Sequence, residues 1–380
     1  MSPAQGNDTI LKQIQDKDSF PIGFEALEKR AREVIGTGPF GYIHSGAGKE
    51  ETLKNNTASF GKYAIVPRFL NDVSNIDTRV ELFGSTYSHP IGLAPVGMLR
   101  LAHEEAELAV SRAAAGLGIP YIQSTVSSYS MDDVCKVVPD SPKWFQLYWS
   151  TDQEISYSFV KRAEKAGYEA IVVTIDTVML GWRQTDVKNQ FSPLKLGYGT
   201  GNYASDEVFL STLPDHSEES IIDGVVNNIY HPTLCWDNIL ELKRRTSLPV
   251  VLKGILDPED AKQAIDAGID GIIVSNHGGR QLDGAIAAID ALPGVVEAAA
   301  GRVPVLFDSG IRSGADVMKA VALGADMAFV GRPFVYGLAI GGQEGVEKVL
   351  SNIIQEFTVS TSLAGAQNIS QLKARKVAKV

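Results

Sequence analysis

The segment Gly271-Ile272-Ile273-Val274-Ser275-Asn276-His277-Gly278-Gly279-Arg280-Gln281 joins an apolar run to a glycine-rich turn that carries an imidazole and a guanidinium. The apolar run predicts a buried strand, so that His277 and Arg280 emerge where the strand ends. Parallel α/β proteins keep their chemistry at strand ends, where an imidazole can accept a proton and a guanidinium can hold a carboxylate. The alternative is a tight turn with an exposed arginine and a structural histidine, and the turn alone does not exclude it.

The same succession of a short apolar run and a helical pattern recurs along the chain and predicts eight βα units. The predicted strands cover residues 91–94, 121–124, 144–148, 171–176, 250–253, 271–275, 305–308 and 327–331. Helical patterns include 104–117, 153–166, 258–267 and 313–323, and they are followed by Gly118, Gly167, Gly268 and Gly324, which suit helix C-terminal caps. The 380 residues would fill one large barrel or two ordinary domains. Eight units favour a (β/α)₈ (TIM) barrel, because doubly wound sheets usually have five or six strands.

Three further segments complete a predicted single domain whose barrel covers residues 91–340. Residues 1–90 predict an N-terminal cap of helices and a hairpin, and residues 341–380 predict a C-terminal helix and tail. The connection after the fourth strand, residues 188–232, is unusually long, and such connections are commonly lids or disordered inserts. Since it follows a strand on the presumed active face, we predict a lid and refer to residues 188–232 as the lid segment.

The bulk composition argues against several classes of function. With 45 acidic and 35 basic residues, the formal charge of -10 disfavours nucleic-acid binding, and no polybasic patch suggests a membrane surface. No apolar run approaches the roughly 18 residues that span a bilayer, and the first residues lack the pattern of a secretory signal. We therefore expect a cytoplasmic protein. Only Cys135 and Cys235 occur, which predicts neither a disulfide framework nor a metal site.

Two Gly/Arg turns follow the seventh and eighth predicted strands. The first is Asp308-Ser309-Gly310-Ile311-Arg312, and the second is Gly331-Arg332-Pro333. Backbone N–H groups and a guanidinium together suit a phosphate dianion, and this part of a barrel commonly binds phosphate. One such turn is more often structural, but two at adjacent strand ends predict a phosphorylated ligand.

Three charged residues near other strand ends leave more than one role open. Lys253, the sole charge in its apolar run, can form a Schiff base, hold an anionic cofactor ring or face solvent. Asp176 is either structural or a partner of His277, whose tautomer it would fix and whose pKa it would raise. Arg183 is either a surface residue or a second guanidinium at the mouth of the barrel.

With these residues in place, the chain resembles the FMN-dependent L-2-hydroxy acid oxidising enzymes, which include glycolate oxidase, lactate oxidase, lactate 2-monooxygenase and the flavin mandelate dehydrogenases. The resemblance covers nearly the whole chain. The motifs that carry it, in matching order and spacing, lie at residues 42–47, 145–148, 252–254, 275–281, 308–312 and 331–333.

The resemblance implies a role for each matching residue. His277 would take the substrate's proton, with Asp176 supporting it, and Arg183 and Arg280 would hold the substrate carboxylate. Tyr42 and Tyr148 would hydrogen-bond the carboxylate and hydroxyl, and Lys253 would stabilise the reduced flavin. The residues expected to bind FMN are Pro95, Val96, Gly97, Ser124, Gln146, Thr174, Lys253, Ser275, Asp308, Gly310, Arg312, Gly331 and Arg332.

Within the family, the first choice of reaction is oxidation of L-lactate to pyruvate, with O₂ reduced to H₂O₂. Val126 replaces the tryptophan of glycolate oxidase and would admit a larger substrate, while Gly97 and parts of the lid segment lean toward lactate 2-monooxygenase, which forms acetate, CO₂ and water. The lid segment is shorter than in the monooxygenases, which favours the oxidase outcome. The resemblance also implies a homo-oligomer, a tetramer or an octamer.

Two alternatives lie outside the family. A Schiff-base aldolase would use Lys253 as its nucleophile, but it would leave the combination of Asp176, His277 and two arginines unexplained. A barrel that only binds or senses a phosphorylated metabolite would need no catalytic base.

Overall fold

The computed structural model describes residues 20–380, so the start of the predicted N-terminal cap, residues 1–19, lies outside the described residues. The elements before the barrel are α1 (Phe24–Val34), α2 (Thr37–His44), α3 (Glu51–Ala58), a 3₁₀ turn (Ser59–Lys62), β1 (Tyr63–Ile65), β2 (Val80–Leu82) and β3 (Ser85–Tyr87). Strands β2 and β3 form an antiparallel hairpin, and β1 pairs with the last strand of the chain.

Eight parallel strands form a closed barrel, which confirms the predicted (β/α)₈ architecture. They are β4 (Ile91–Leu93), β5 (Tyr121–Gln123), β6 (Lys143–Leu147), β7 (Ile171–Thr174), β8 (Val250–Ile255), β9 (Gly271–Val274), β10 (Val305–Phe307) and β11 (Met327–Val330). Strand β7 ends at Thr174, so Asp176 lies in the following loop rather than at the predicted strand end. Strand β8 continues past Lys253 to Ile255 because its pairing with β9 shifts register there.

The remaining helices surround the barrel or extend from it. They are α4 (Ala106–Leu117), α5 (Met131–Val137), α6 (Gln153–Lys165), α7 (Gln184–Asn189), α8 (Gly201–Ala204), α9 (Glu207–Ser211), α10 (Glu218–Asn228), α11 (Trp236–Arg245), α12 (Pro258–Asp266), α13 (Ala288–Ala299), α14 (Gly314–Ala322), α15 (Arg332–Leu363) and α16 (Ile369–Lys373), followed by β12 (Val377–Lys379). The predicted cap glycines Gly118, Gly167, Gly268 and Gly324 have φ of 62°, 73°, 82° and 111°. Those values belong to the left-handed region in which glycine ends a helix without steric cost.

The chain after α14 and β11 folds back onto the barrel. Helix α15 is broken at Gly341 and Gly342, where φ/ψ leave the helical region, and its two halves pack against α4 and α14. Among the described residues no helix combines the length and the apolar character that crossing a membrane requires.

The lid segment is folded rather than extended. Helices α8 to α10 lie within it, and Tyr203 and Phe209 are fully buried. Tyr203 packs edge-on against Phe159 of α6, with ring centroids 4.9 Å apart. The middle of the lid segment is therefore anchored to the side of the barrel by an aromatic cluster.

The amino end of the barrel is closed by the hairpin β2–β3. Leu82 and Tyr87 pack into the barrel interior beside Trp144, whose indole N–H donates to the Tyr87 hydroxyl at 3.1 Å. Phe83, in the hairpin turn, contacts the same indole edge-on at 5.4 Å. Side chains fill this end of the barrel, whereas the cavity described below lies at the carboxyl ends of the strands.

Candidate active site

A cavity opens at the carboxyl ends of the barrel strands and brings together most of the predicted site residues. Those that line it are Tyr42, Pro95, Val96, Gly97, Tyr148, Arg183, Lys253, His277, Arg280, Asp308, Gly310, Arg312, Gly331 and Arg332. They come from helix α2 and from the ends of seven barrel strands or the connections that follow them, β4 and β6 to β11. Neither His277 nor Arg280 belongs to a simple exposed turn, and Arg183 is only 7% exposed rather than a surface residue.

Four predicted cofactor residues lie buried beneath the cavity instead of lining it. The Ser124 hydroxyl donates to the Gln146 side-chain oxygen at 3.1 Å, and the Gln146 amide donates to the Thr174 hydroxyl at 3.0 Å. The Ser275 hydroxyl accepts a hydrogen bond from Lys253 Nζ at 2.9 Å. These side chains support the floor of the cavity, and their contact with a flavin ring stays a prediction.

The predicted acid–base pair is formed. His277 Nδ1 lies 2.8 Å from Asp176 Oδ1, behind the cavity wall, and the Thr177 hydroxyl approaches the same nitrogen at 3.2 Å. The other ring nitrogen, Nε2, is 3.5 Å from the Tyr148 hydroxyl. A carboxylate on Nδ1 fixes the tautomer in which that nitrogen carries the proton, which leaves Nε2 as the acceptor toward the cavity.

Burial reverses the expected direction of the His277 pKa. Burial lowers the pKa of His277 below its ordinary 6.5; the Asp176 charge opposes this shift, and Lys253 adds to it. The predicted effect of Asp176, which raises the pKa of His277, is present, but burial outweighs it. For Asp176, burial alone would raise the pKa, but the neighbouring charges of His277 and Lys253 hold it below the usual value.

Two guanidiniums flank the ring of Tyr42. The centres of Arg183 and Arg280 lie 5.6 Å and 4.8 Å from the ring centroid. Arg280 Nη1 is fixed by the backbone carbonyls of Tyr42 and Ser45, at 2.6 Å and 2.8 Å. Within residues 20–380, Arg183 makes only long contacts. Its Nε donates to the Arg280 carbonyl at 3.3 Å, its Nη2 donates to the Gln281 side-chain oxygen at 3.4 Å, and its Nη1 lies 3.9 Å from Asp186 Oδ2. Donors on both groups are therefore free to bind a small anion.

The charges of this arginine pair repel each other. Burial lowers the pKa of Arg280 to about 9, and the neighbouring Arg183 charge adds to the shift. Two like charges in a recessed site favour an anionic ligand, and a carboxylate can accept from both guanidiniums at once.

Two further guanidiniums lie at the ends of β10 and β11. Arg332 donates to the carbonyls of Ile43, Ser45 and Gly278 at 3.0, 2.9 and 3.1 Å. Arg312 donates to the Ile311 carbonyl at 2.9 Å, and its Nε has no partner among the described residues. Neither arginine forms an ion pair within residues 20–380. A Cβ on the adjoining Gly331 would meet nothing within 4 Å. Uncompensated positive charge beside open space fits a phosphate group.

Lys253 has a hydroxyl and a carboxylate as its partners. Its side chain is buried, bonded to Ser275 and 3.2 Å from Asp308 Oδ2. A Schiff-base nucleophile needs a neutral amine, which a carboxylate partner disfavours, so this geometry argues against the aldolase alternative.

Several cavity residues were not predicted from the sequence. Asp186, Phe191, Leu194 and Tyr230 line the cavity from the loop after β7. Ser309, with φ of 79°, accepts hydrogen bonds from the backbone of the His277 turn at Gly278. The Arg183/Asp186 spacing of three residues and the position of Ser309 in the turn after β10 were usable signals, but Phe191, Leu194 and Tyr230 follow no strand directly and carry no periodic pattern. No cluster of His, Cys, Asp and Glu suited to a metal occurs in the described part of the chain.

Comparison with known proteins agrees with this geometry. The family model described as FMN-dependent dehydrogenase matches residues 31–379. An L-lactate oxidase from Lysinibacillus sphaericus is 59% identical over 373 residues, which cover 98% of this chain and 97% of that protein. The 2-hydroxyacid oxidase 1 of Homo sapiens is 41% identical, covering 93% and 95% of the two chains. A crystal structure of mandelate oxidase superposes with a TM-score of 0.85 at 38% identity, covering 94% of this chain and 98% of that one.

These matches extend over nearly the full length of the chain, and the cavity has a place for both a phosphate and a carboxylate. The predicted dependence on FMN is confirmed by the family match. The protein belongs to the FMN-dependent 2-hydroxy acid oxidase and dehydrogenase family.

Proposed function

We propose that the protein oxidises L-lactate to pyruvate and releases H₂O₂ from O₂. The observation that carries the proposal is the convergence of the His277–Asp176 pair and the two substrate-facing arginines, Arg183 and Arg280, on one cavity. The choice of L-lactate is supported by the 59% identity to a relative named L-lactate oxidase.

In this proposal, His277 Nε2 removes the proton of the substrate. Burial keeps the imidazole neutral at neutral pH, because the pKa of His277 lies below its ordinary value. Asp176, 2.8 Å from Nδ1, stabilises the imidazolium that forms when the proton arrives. The neutral imidazole can therefore accept the proton, and the adjacent carboxylate stabilises the positive charge that results.

Arg183 and Arg280 fix the substrate carboxylate and thereby orient its Cα and hydroxyl toward His277. The hydroxyls of Tyr42 and Tyr148 act as further donors to the carboxylate and hydroxyl. Burial raises the pKa of Tyr148 well above its usual range, and the nearby Asp176 charge adds to the shift, so this phenol stays protonated. Fixed donors reduce the entropy that the substrate must lose in the transition state.

FMN, when bound, accepts the two electrons that leave Cα of the substrate. Its phosphate would be held by Arg312, Arg332 and the backbone at Gly310 and Gly331, while backbone at Pro95, Val96 and Gly97 would line the opposite part of the cavity. Lys253, fixed by Ser275 and Asp308, would place its charge beside the ring. Ser124, Gln146 and Thr174 would support the ring from below.

The lid segment would decide which product leaves. Phe191, Leu194 and Tyr230 of the lid segment line the cavity together with Val126 and Gly97. If pyruvate departs before peroxide reacts with it, the products are pyruvate and H₂O₂; if it stays, they are acetate, CO₂ and water. We propose the oxidase outcome, and the monooxygenase outcome is the alternative that the assay must separate.

The experiment is to incubate the FMN-loaded enzyme with L-lactate in air and to quantify H₂O₂, pyruvate and acetate. We expect pyruvate and H₂O₂ in equal amounts. A parallel reaction with catalase removes free peroxide, so acetate that persists there must form within the enzyme and would establish the monooxygenase outcome. D-lactate is the stereochemical control, and glycolate and mandelate rank the substrates. No oxidation of any of these acids would refute the proposal.

We also propose a homo-oligomer, a tetramer or an octamer, and a cytoplasmic location. The apolar side chains of Phe69 and Leu70 are 77% and 105% exposed in one turn, which supports contact with another copy. Cys135 and Cys235 are free thiols, as is typical of proteins from a reducing compartment. Light scattering of the purified protein tests the assembly, and a monomer would contradict it.

A further inference from the structure

Two acidic side chains line the cavity, and they differ in their partners. Asp308 lies 3.2 Å from Lys253 and is compensated by it. Asp186 Oδ2 is 3.9 Å from Arg183 Nη1, at the limit of an ion pair. The other oxygen, Oδ1, is buried and has no hydrogen-bond partner among residues 20–380. Asp186 is thus a largely desolvated carboxylate that no donor in the described chain fully satisfies.

The position of Asp186 is set by the backbone rather than by an ion pair. It lies in the first turn of α7, three residues after Arg183. Helix α7 packs closely on α2, where a Cβ on Gly41 would collide with Asn189 and Thr185. This packing fixes the helix that carries Asp186, and thereby its backbone, on the side of the cavity where Arg183 lies.

The charges that act on Asp186 are those of the proposed substrate-binding arginines. Burial raises the pKa of Asp186 above its ordinary value, and the charges of Arg280 and Arg183, in that order, oppose the shift. A substrate carboxylate that binds these arginines must enter the field of a second negative charge. In this poorly solvated site, the negative charge of Asp186 repels the substrate carboxylate and weakens its binding to the arginines.

We propose that Asp186 is a specificity and release residue, a fixed counter-charge that limits the affinity of the Arg183/Arg280 pair for carboxylates. The inference rests on the proposed function, in which substrate and product carry the same carboxylate. Two uncompensated guanidiniums in a recessed cavity would retain the keto acid product. The counter-charge of Asp186 weakens the binding of that anion and so allows the product to leave.

The test measures the binding of pyruvate and of lactamide, a neutral analogue, to the FMN-loaded enzyme through the change in flavin absorbance. Asp186→Asn should bind pyruvate roughly tenfold more tightly, as removal of one nearby like charge predicts. Its lactamide affinity should stay within about twofold of wild type. Asp266→Asn, which removes an exposed carboxylate that is 69% accessible, controls for net charge and should leave both affinities unchanged.

Unchanged or weaker pyruvate binding by Asp186→Asn would overturn the proposal, and weaker binding would show that Asp186 only orients Arg183. An equal increase in the affinity for lactamide would also overturn the proposal, because the effect of the substitution would then not depend on the charge of the ligand. Asp186→Ser provides the same comparison if the asparagine variant does not fold. Arg280→Met separates the proposed carboxylate site from the proposed role of Asp186. Unchanged pyruvate affinity in this variant would refute the carboxylate site. A large loss of pyruvate affinity would support that site, and the Asp186→Asn result then decides the role of Asp186 alone.

Discussion

His277 occupies a backbone conformation that few residues other than glycine adopt. Its φ is 59°, and Gly278 and Gly279 follow with φ of 63° and 73°. The Ser275 hydroxyl accepts from the His277 N–H at 3.0 Å, and Ser309 accepts from the Gly278 N–H at 2.9 Å. These bonds stabilise a turn that carries strain of order 1–3 kcal/mol, and the turn aims the imidazole into the cavity.

The lowered pKa of His277 predicts a pH dependence for the reductive half of the reaction. Because only the neutral imidazole accepts a proton, the rate of flavin bleaching by L-lactate should be constant near neutral pH. It should fall as the pH decreases through the His277 pKa, with a midpoint below the ordinary 6.5. Rapid mixing without oxygen, at a series of pH values, measures this rate.

His277→Gln provides the comparison. It should keep its yellow cofactor but reduce it several orders of magnitude more slowly, without that inflection. Tyr148→Phe, which keeps the imidazole, should retain the inflection. A near-normal rate in the glutamine variant would contradict the role of His277 as base.

Individual site residues could be predicted from the sequence wherever a polar residue follows an apolar strand. That pattern located His277, Lys253 and Asp308 because parallel strands bring their carboxyl ends together. It could not locate Asp186 or Tyr230, whose positions depend on how the long connection after β7 folds. Nor could it give the net direction of the His277 pKa, since burial is a property of the folded chain.

Among the elements, the lid segment is attached to the barrel by the aromatic cluster and by a buried side chain, that of Asn202. Asn202 in α8 is fully buried, and its amide donates to the carbonyls of Ser124 and Thr125 and to the Ser127 hydroxyl at 3.1, 3.1 and 2.9 Å. Its oxygen accepts from the Met131 N–H at 2.8 Å. The loop that carries the cavity residue Val126 is thereby tied to the lid segment.

We therefore predict that Asn202→Ala lowers the stability of the protein and loosens this loop. Leaving several buried backbone groups without partners should cost about 2–4 kcal/mol of unfolding free energy. Thermal unfolding followed by circular dichroism measures the loss, and the KM for L-lactate should rise because Val126 lines the cavity.

Asn227→Ala, at an exposed position in the same segment, is the matched control and should change neither property. If the two variants unfold at the same temperature, the anchoring role of Asn202 is wrong.

The elements themselves were predictable to different degrees. The eight barrel strands and their helices repeat with a regular period, and each predicted strand overlaps the observed one. Two of the three helices α8 to α10 are short, with four residues in α8 and five in α9, and such helices are stabilised by tertiary contacts rather than by their own sequence. A pattern of hydrophobic residues therefore indicated a long connection but not its fold.

For the molecule as a whole, the barrel and the N-terminal helices meet at the proposed phosphate site. Arg332 from the end of β11 donates to carbonyls of α2 and the turn after it, and Arg312 lies over the ring of Phe24 in α1 at 4.3 Å. A ligand that binds these arginines should stabilise the native state against unfolding.

We predict that FMN raises the thermal unfolding midpoint of the apoprotein more than riboflavin does, because riboflavin lacks the phosphate. At a hundredfold excess over its Kd, FMN should add about 2.7 kcal/mol. Differential scanning fluorimetry with both ligands measures this difference. Arg312→Met should abolish it, whereas Arg302→Met, at a residue paired with Asp266 on the surface, should not. Equal shifts with both ligands would contradict the phosphate site.

One carbonyl oxygen joins the two ends of the cavity. Ser45 O accepts from Arg280 at 2.8 Å and from Arg332 at 2.9 Å, so the same atom helps to position the guanidinium proposed to bind the carboxylate and the one proposed to bind the phosphate. Occupancy at either end then restrains the other. If occupancy of one end favours the other, the linkage is reciprocal, and each ligand would raise the affinity for the other by the same factor.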